Sequence, residues 1–143
     1  MTQPPQFART GPSDLDLLAK VDPRLATDAE YRAHIGDLLG AGLSWAAHVN
    51  GQPAGFAVVT RHFFGFPFVD LLVVEEAQRR RGVGEALMAQ CERNHDADRI
   101  FTSTNESNAP MRRLLAKADW SVSGVIENLD PGDPELVFVK FRA

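Results

Sequence analysis

The stretch FVDLLVVEEAQRRRGVG, from Phe68 to Gly84, constrains the fold more than any other part of the chain. Its first half is rich in valine and leucine and broken by one acid, the pattern of a strand central in a sheet. Past it, Val83, Leu87 and Cys91, with Ala86, form an apolar stripe at helical spacing through about Arg93. A buried strand must therefore pass through a polar loop into a helix that packs back on the sheet. The loop places Arg79, Arg80 and Arg81 directly before Gly82-Val83-Gly84. Such a run suits a nucleic-acid patch, a solvated loop or a cradle for phosphates.

Charge weighs against the first of these. The 143 residues include 15 Lys and Arg against 19 Asp and Glu, a formal net charge of -4. No general basic field draws the chain to a nucleic acid, and no aromatic side chains interleave with the arginines to stack bases. Cys91 is the single cysteine, which excludes an internal disulfide and fits a reducing compartment. The start, MTQPPQFART, lacks the apolar core of a signal peptide, and no apolar run approaches the ~18 residues of a membrane span. A cytoplasmic protein with no membrane or nucleic-acid partner is expected. The length favours one domain over residues 1–143, with residues 1–5 frayed. No His, Cys, Asp or Glu cluster has metal-ligand spacing, so no metal is expected.

Along the chain, QFART reads as a short strand. GPSDLDLLAKV reads as a helix with Ser13 as N-cap, and a second helix follows with Thr27 and Glu30 as its capping pair. Gly40 and Gly42 stop it. LSWAAHV and PAGFAVVTRHFF are strands joined by an Asn50-Gly51 hairpin turn. Gly65 and Pro67 then turn the chain into FVDLLVV. After the arginine loop and its helix come the strand RIFTST, the helix NAPMRRLLAKA, and two strands, WSVSGVI and ELVFVKF, around the turn-rich NLDPGDP. The fold class expected is α/β (α+β), with a mixed, largely antiparallel sheet of six to seven strands flanked by about four helices.

The arginine loop lies between a strand and a helix start, where unpaired N–H groups and a partial positive charge suit phosphate oxygens. It is not a dinucleotide fingerprint, because Leu87 occupies the place of the third small residue. Nor does it contain the G-x-x-x-x-G-K-[ST] of a Walker loop. It resembles the R-x-x-G-x-G/A loop of the GNAT-type N-acetyltransferases, with Arg79, Gly82 and Gly84 in register. That family next has an Asn opening a helix, an apolar residue three on, and a Gly-aromatic pair at the helix end. Asn108, Met111 and Trp120 match the Asn, apolar and aromatic places, and the element order resembles the family over nearly the whole chain.

The resemblance implies acetyl-CoA as cosubstrate. It implies that the backbone from Arg79 through Arg80, Arg81, Gly82, Val83 and Gly84 to Glu85 holds the pyrophosphate. Pantetheine would run beside the central strand at Leu72, Val73 and Val74, with Asn108 and Met111 at the next strand-helix junction. Arg112, Arg113 and Lys117 are all within reach of the outer phosphates in sequence terms, and nothing in the sequence chooses among them. A backbone N–H at Val73 or Val74 would hold the oxyanion. Many members carry a Tyr seven residues past the motif Asn to protonate the leaving thiolate; here that residue is Leu115. Dimers are common in such proteins, so a homodimer fits the resemblance.

For a base, Asp70 stands out as an acid inside an apolar strand, where a carboxylate needs a partner or water. Strict alternation puts it on one face with Leu72 and Val74. Catalysis and a structural hydrogen bond account for it equally. Glu75, just past the strand, and His62, near the end of a flanking strand, are further candidates. Tyr31 fits a pocket wall or the core. Asn105 and Ser107 fit either donor contact or turn formation, and Cys91 fits buried packing. The four phenylalanines of RHFFGFPF fit core or an apolar acceptor pocket. The expected function is transfer of an acetyl group to an amine of a small molecule or peptide by direct attack in a ternary complex. The alternative is a non-catalytic acyl-CoA-binding sensor of the same fold, which Leu115 keeps open.

Overall fold

The computed structural model describes residues 3–143. Residues 3–5 lie outside any regular element, and the fraying expected of residues 1 and 2 falls outside the described residues. Among the described residues, strands β1 (Gln6–Thr10), β2 (Ser44–Val49), β3 (Gln52–Phe63), β4 (Phe66–Val74), β5 (Arg99–Asn105), β6 (Ser121–Ile126) and β7 (Glu135–Phe141) form one sheet. Their order is β1-β2-β3-β4-β5-β7-β6, antiparallel throughout except between β4 and β5. Helices α1 (Leu15–Leu18), α2 (Arg24–Thr27) and α3 (Ala29–Leu39) precede β2, α4 (Val83–Arg93) joins β4 to β5, and α5 (Ala109–Lys117) joins β5 to β6. The mixed, largely antiparallel sheet expected from the sequence is thus present.

Two apolar layers hold the helices on opposite faces. Val83, Leu87, Met88 and Cys91 of α4 and Leu115 of α5 pack with Ala57, Val59, Val69, Ile100 and Phe138 on one face. Leu18, Leu25, Ile35, Leu38 and Leu39 pack with Ala46, Phe56 and Val58 on the other. Met88 belongs to the buried stripe of α4, whereas Ala86 is half-buried.

The N-terminal helices differ from the expected pair. A 3-10 turn over Pro12–Asp14 precedes α1, and Ser13 lies inside it rather than capping a helix; the Asp14 carboxylate accepts the Gly11 N–H at 2.8 Å. Thr27 closes the extra turn α2, which Pro23 introduces. The cap of α3 is therefore Asp28, whose extended backbone lets Oδ1 accept the Tyr31 N–H at 3.1 Å. The Asn50-Gly51 hairpin is as expected, with φ of 52° and 77°. The next turn uses Phe64 and Gly65, at φ 55° and 82°, and Pro67 is buried inside β4 instead.

Two irregularities of β4 shape everything that follows. Its parallel pairing with β5 is confined to Phe68–Phe101 and Val69–Thr102, after which the strands separate. Its register against β3 also shifts between Val58–Leu71 and Val59–Val69, which leaves Asp70 as the extra residue of a β-bulge.

Candidate active site

The separation of β4 from β5 opens a slot in the sheet. Glu75 N–H donates to Ala54 O on β3 at 2.8 Å. Main-chain direction alternates along a strand, so Val73 also turns its N–H and C=O toward β3. Leu72 and Val74 turn theirs the other way, into the slot. Val73, named with them from the sequence, presents its side chain to the α1–α3 layer and no N–H to the slot. The Val74 carbonyl accepts from Arg79 Nε at 3.3 Å. The Val74 N–H and both main-chain groups of Leu72 are left as an unpaired strand edge. At the closed end of the slot, Thr102 Oγ1 donates to Val69 O at 2.9 Å and ties the two strands together.

The loop after β4 begins with a 3-10 turn, Glu76–Gln78, and reaches α4 through two left-handed residues, Arg80 at φ 66° and Gly82 at φ 81°. Gly82 is the N-cap and offers no side-chain acceptor, so the first N–H groups of α4, on Val83, Gly84 and Glu85, point out of the helix end unpaired. The two glycines have different reasons. Gly82 is required by its positive φ. Gly84 is buried, and a Cβ there would stand 3.2 Å from Leu114 Cδ1 and 3.4 Å from Val74 Cγ2. It therefore serves the close approach of α4 to β4 and α5, not the approach of a ligand. Gly55 on β3 acts likewise, since its Cβ would meet Val73 O at 2.9 Å and Leu87 Cδ1 at 3.0 Å. Arg80 and Arg81 are exposed on the same loop.

At the start of α5, Asn108 caps the helix, its Oδ1 accepting the Met111 N–H at 3.2 Å. Asn105 and Ser107 beside it hold the β6–β7 turn: Asn105 Nδ2 donates to Asp130 at 2.9 Å and Ser107 Oγ to Asp133 at 2.6 Å. Turn formation thus accounts for both. Arg112 donates to Glu106 O and Lys117 pairs with Glu85 in the first turn of α4. Leu115, in the place of the Tyr, is fully buried in the core. Asp119 fills the family's Gly position with φ 64°, closing α5 through the bonds Trp120 N–H to Leu115 O and Asp119 N–H to Ala116 O.

The bulge corrects the expected place of Asp70. Leu72 and Val74 flank Gly84 on the α4 side. The extra residue puts Asp70 out of phase with them, and its Oδ2 accepts from Thr60 Oγ1 at 2.7 Å on the α1–α3 side. Burial pushes its carboxyl above the ordinary range, while the Thr60 bond and the charges of His62 and His34 act in the opposite sense. Phe68 stacks on Phe63 at 4.9 Å between centroids and Phe101 lies 5.0 Å from Phe63, a half-exposed aromatic group on the strands around Asp70. Tyr31 is engaged elsewhere, donating to Asp22 at 2.7 Å. His62 is exposed, and Glu75 is half-buried at the mouth of the slot.

Cys91 faces the core, and burial, with Glu92 nearby, pushes its thiol up to about 12, which suits packing and not a nucleophile. His95 is buried in the turn before β5, where its Nδ1 accepts the Ala97 N–H. Sequence reasoning missed Thr60, Thr102 and Gly55. A threonine in the apolar run AVVT is the one signal that marks Thr60, while Gly55 shows its purpose only once α4 lies against it.

The geometry agrees with the comparisons. The acetyltransferase (GNAT) family matches residues 13–120. A GNAT-family acetyltransferase from Bacillus cereus ATCC 10987 superposes with a TM-score of 0.88 at 28% identity, covering 99% of each chain. The ribosomal-protein-S18-alanine N-acetyltransferase of Escherichia coli shares the fold at TM-score 0.74 and 16% identity, covering 95% of this chain and 92% of its own. A Bacillus anthracis acetyltransferase in complex with acetyl coenzyme A does so at TM-score 0.64 and 17% identity, covering 70% and 62%. No curated protein matches the sequence. With a strand slot, an uncapped helix start beside it and a family match over most of its length, the chain belongs to the acetyltransferase (GNAT) family.

Proposed function

We propose that the protein moves an acetyl group from acetyl-CoA to an amine of a small molecule or peptide by direct attack in a ternary complex. The observation that carries this reading is the slot itself, because a strand edge with unpaired main chain opens beside an uncapped helix N-terminus. Pantetheine, with its two amides, replaces the missing strand partner at Leu72 and at the Val74 carbonyl. The pyrophosphate accepts from the N–H groups at Gly82–Glu85, and Arg79, Arg80 and Arg81 add attraction. Asn108 and Met111 close the junction with α5.

The acceptor enters from the α1–α3 side. Asp70 takes a proton from its nitrogen, and the lone pair attacks the thioester carbon. The Val74 N–H, aimed into the slot, stabilises the oxyanion. Collapse of the intermediate breaks the C–S bond, and water relays the second nitrogen proton to the departing thiolate, since Leu115 holds the place of the Tyr. His62 and Glu75 are alternative bases. The acid at Asp70 favours a cationic amine, and the aromatic group beside it favours an apolar body on that amine. Like the expected homodimer and single domain, the cytoplasmic location belongs to this proposal.

Burial of Leu115 favours a second reading, an acyl-CoA-binding sensor without turnover. A thermal-shift series with acetyl-CoA, followed by release of free CoA thiol over an amine panel, separates the two. The first reading expects a rise in Tm and thiol release with one class of amine. Stabilisation without release across the panel supports the sensor, and no shift at ligand far above a micromolar Kd contradicts both.

A further inference from the structure

Thr60 is fully buried in β3, and its hydroxyl makes two bonds with fixed directions. It accepts the His62 N–H at 3.2 Å and donates to Asp70 Oδ2 at 2.7 Å. With a lone pair engaged by the backbone, the hydroxyl proton has one partner, the carboxylate. The bulge gives Asp70 an irregular backbone place in β4, so alternation alone does not fix where its side chain points. The hydroxyl does. It holds Oδ2, and the Thr60 backbone bonds the same carboxylate.

From this geometry we infer that Thr60 is a positioning residue, whose hydroxyl holds the Asp70 carboxylate toward the acceptor side. A hydroxyl donating to a carboxylate favours the charged form. It opposes burial, which favours the neutral one, and the charged groups acting on Asp70 from its neighbours are His62 of β3 and His34 of α3. Neither histidine makes a side-chain hydrogen bond to the carboxylate among the described residues, so Thr60 is its one direct donor from a side chain. The functional weight of the inference rests on the reading of Asp70 as the base, but its physical content does not.

The test is a carbon-detected NMR titration of the Asp70 carboxyl in the full chain, in Thr60→Val and in Thr60→Ser. A hydrogen bond to a charged group corresponds to about one pH unit. Thr60→Val should therefore titrate about one unit higher than the wild type, and Thr60→Ser should titrate like the wild type. If the valine variant fails to fold, Thr60→Ala removes the same hydroxyl and reads the same shift. A valine or alanine variant that titrates with the wild type overturns the inference. The kinetic arm uses acetyl-CoA and the amine selected from the panel. There the acidic limb of kcat/KM should move with the carboxyl while the KM for acetyl-CoA stays. A moved carboxyl with an unmoved limb supports Thr60's hold on Asp70 and removes Asp70 as the base. An unmoved carboxyl with a limb that Asp70→Asn abolishes keeps the base and discards the role of Thr60.

Discussion

As the proposed base, Asp70 carries opposite demands from folding and from chemistry. The fold raises its pKa, chiefly by burial, above the ordinary 3.8. As pH rises past that value, the unfolded chain loses this proton before the folded one. The stability linked to the group is present in full at lower pH and is lost as pH climbs through the folded value. The charged form that a base needs is the form the fold disfavours. Asp70→Asn keeps an oxygen for Thr60 to bond while removing the charge. The expected outcome is a Tm difference, variant minus wild type, that grows as pH rises above the ordinary 3.8. Turnover should fall by about 10²-fold or more, the usual weight of a general base. Melting curves over pH with steady-state rates check both, and unchanged turnover removes Asp70 from the mechanism.

The elements around the slot depend on close approach. Gly55 and Gly84 let α4 lie against β3, β4 and α5, which sets the unpaired N–H groups of the helix beside the slot. Gly55→Ala places a methyl 2.9 Å from Val73 O, a backbone atom with little room to move. Overpacking of this kind costs about 1–3 kcal/mol. Because the strain falls where β3 meets β4 and α4, affinity for acetyl-CoA should drop as well. Chemical denaturation and a titration with acetyl-CoA measure the two effects, and a variant as stable as the wild type contradicts the packing role. Strands and long helices were legible in the sequence because alternation and the 3.6 period decide them locally. The caps at Ser13 and Thr27 were misplaced by one element because Pro12 and Pro23 start short turns of their own. The face of Asp70 was misread because a bulge is a property of two paired strands, and one strand's pattern does not reveal it.

For the molecule as a whole, the layers leave the sheet open between β4 and β5. Apolar layers back β2, β3 and β4 on both faces, and the gap between β4 and β5 passes from one face toward the other. In the proposed reaction, a donor held by α4 on one side and an acceptor met by Asp70 on the other would approach each other through it. The strand-loop-helix geometry around Arg79, Gly82, Gly84 and Asn108 was legible, because a motif fixes backbone geometry along a short segment. The surroundings of Asp70 were not, because they assemble from β3, β4, β5 and α3, which lie far apart in the chain. Among the described residues, no helix is long and apolar enough to cross a membrane.

The most direct measurement is an amide-resolved NMR titration of the full chain with acetyl-CoA. The account expects the amides of Leu72 and Val74 and those of Val83, Gly84 and Glu85 to shift together with one Kd. Shifts that spare these amides while another surface responds would contradict the placement of acetyl-CoA in the slot.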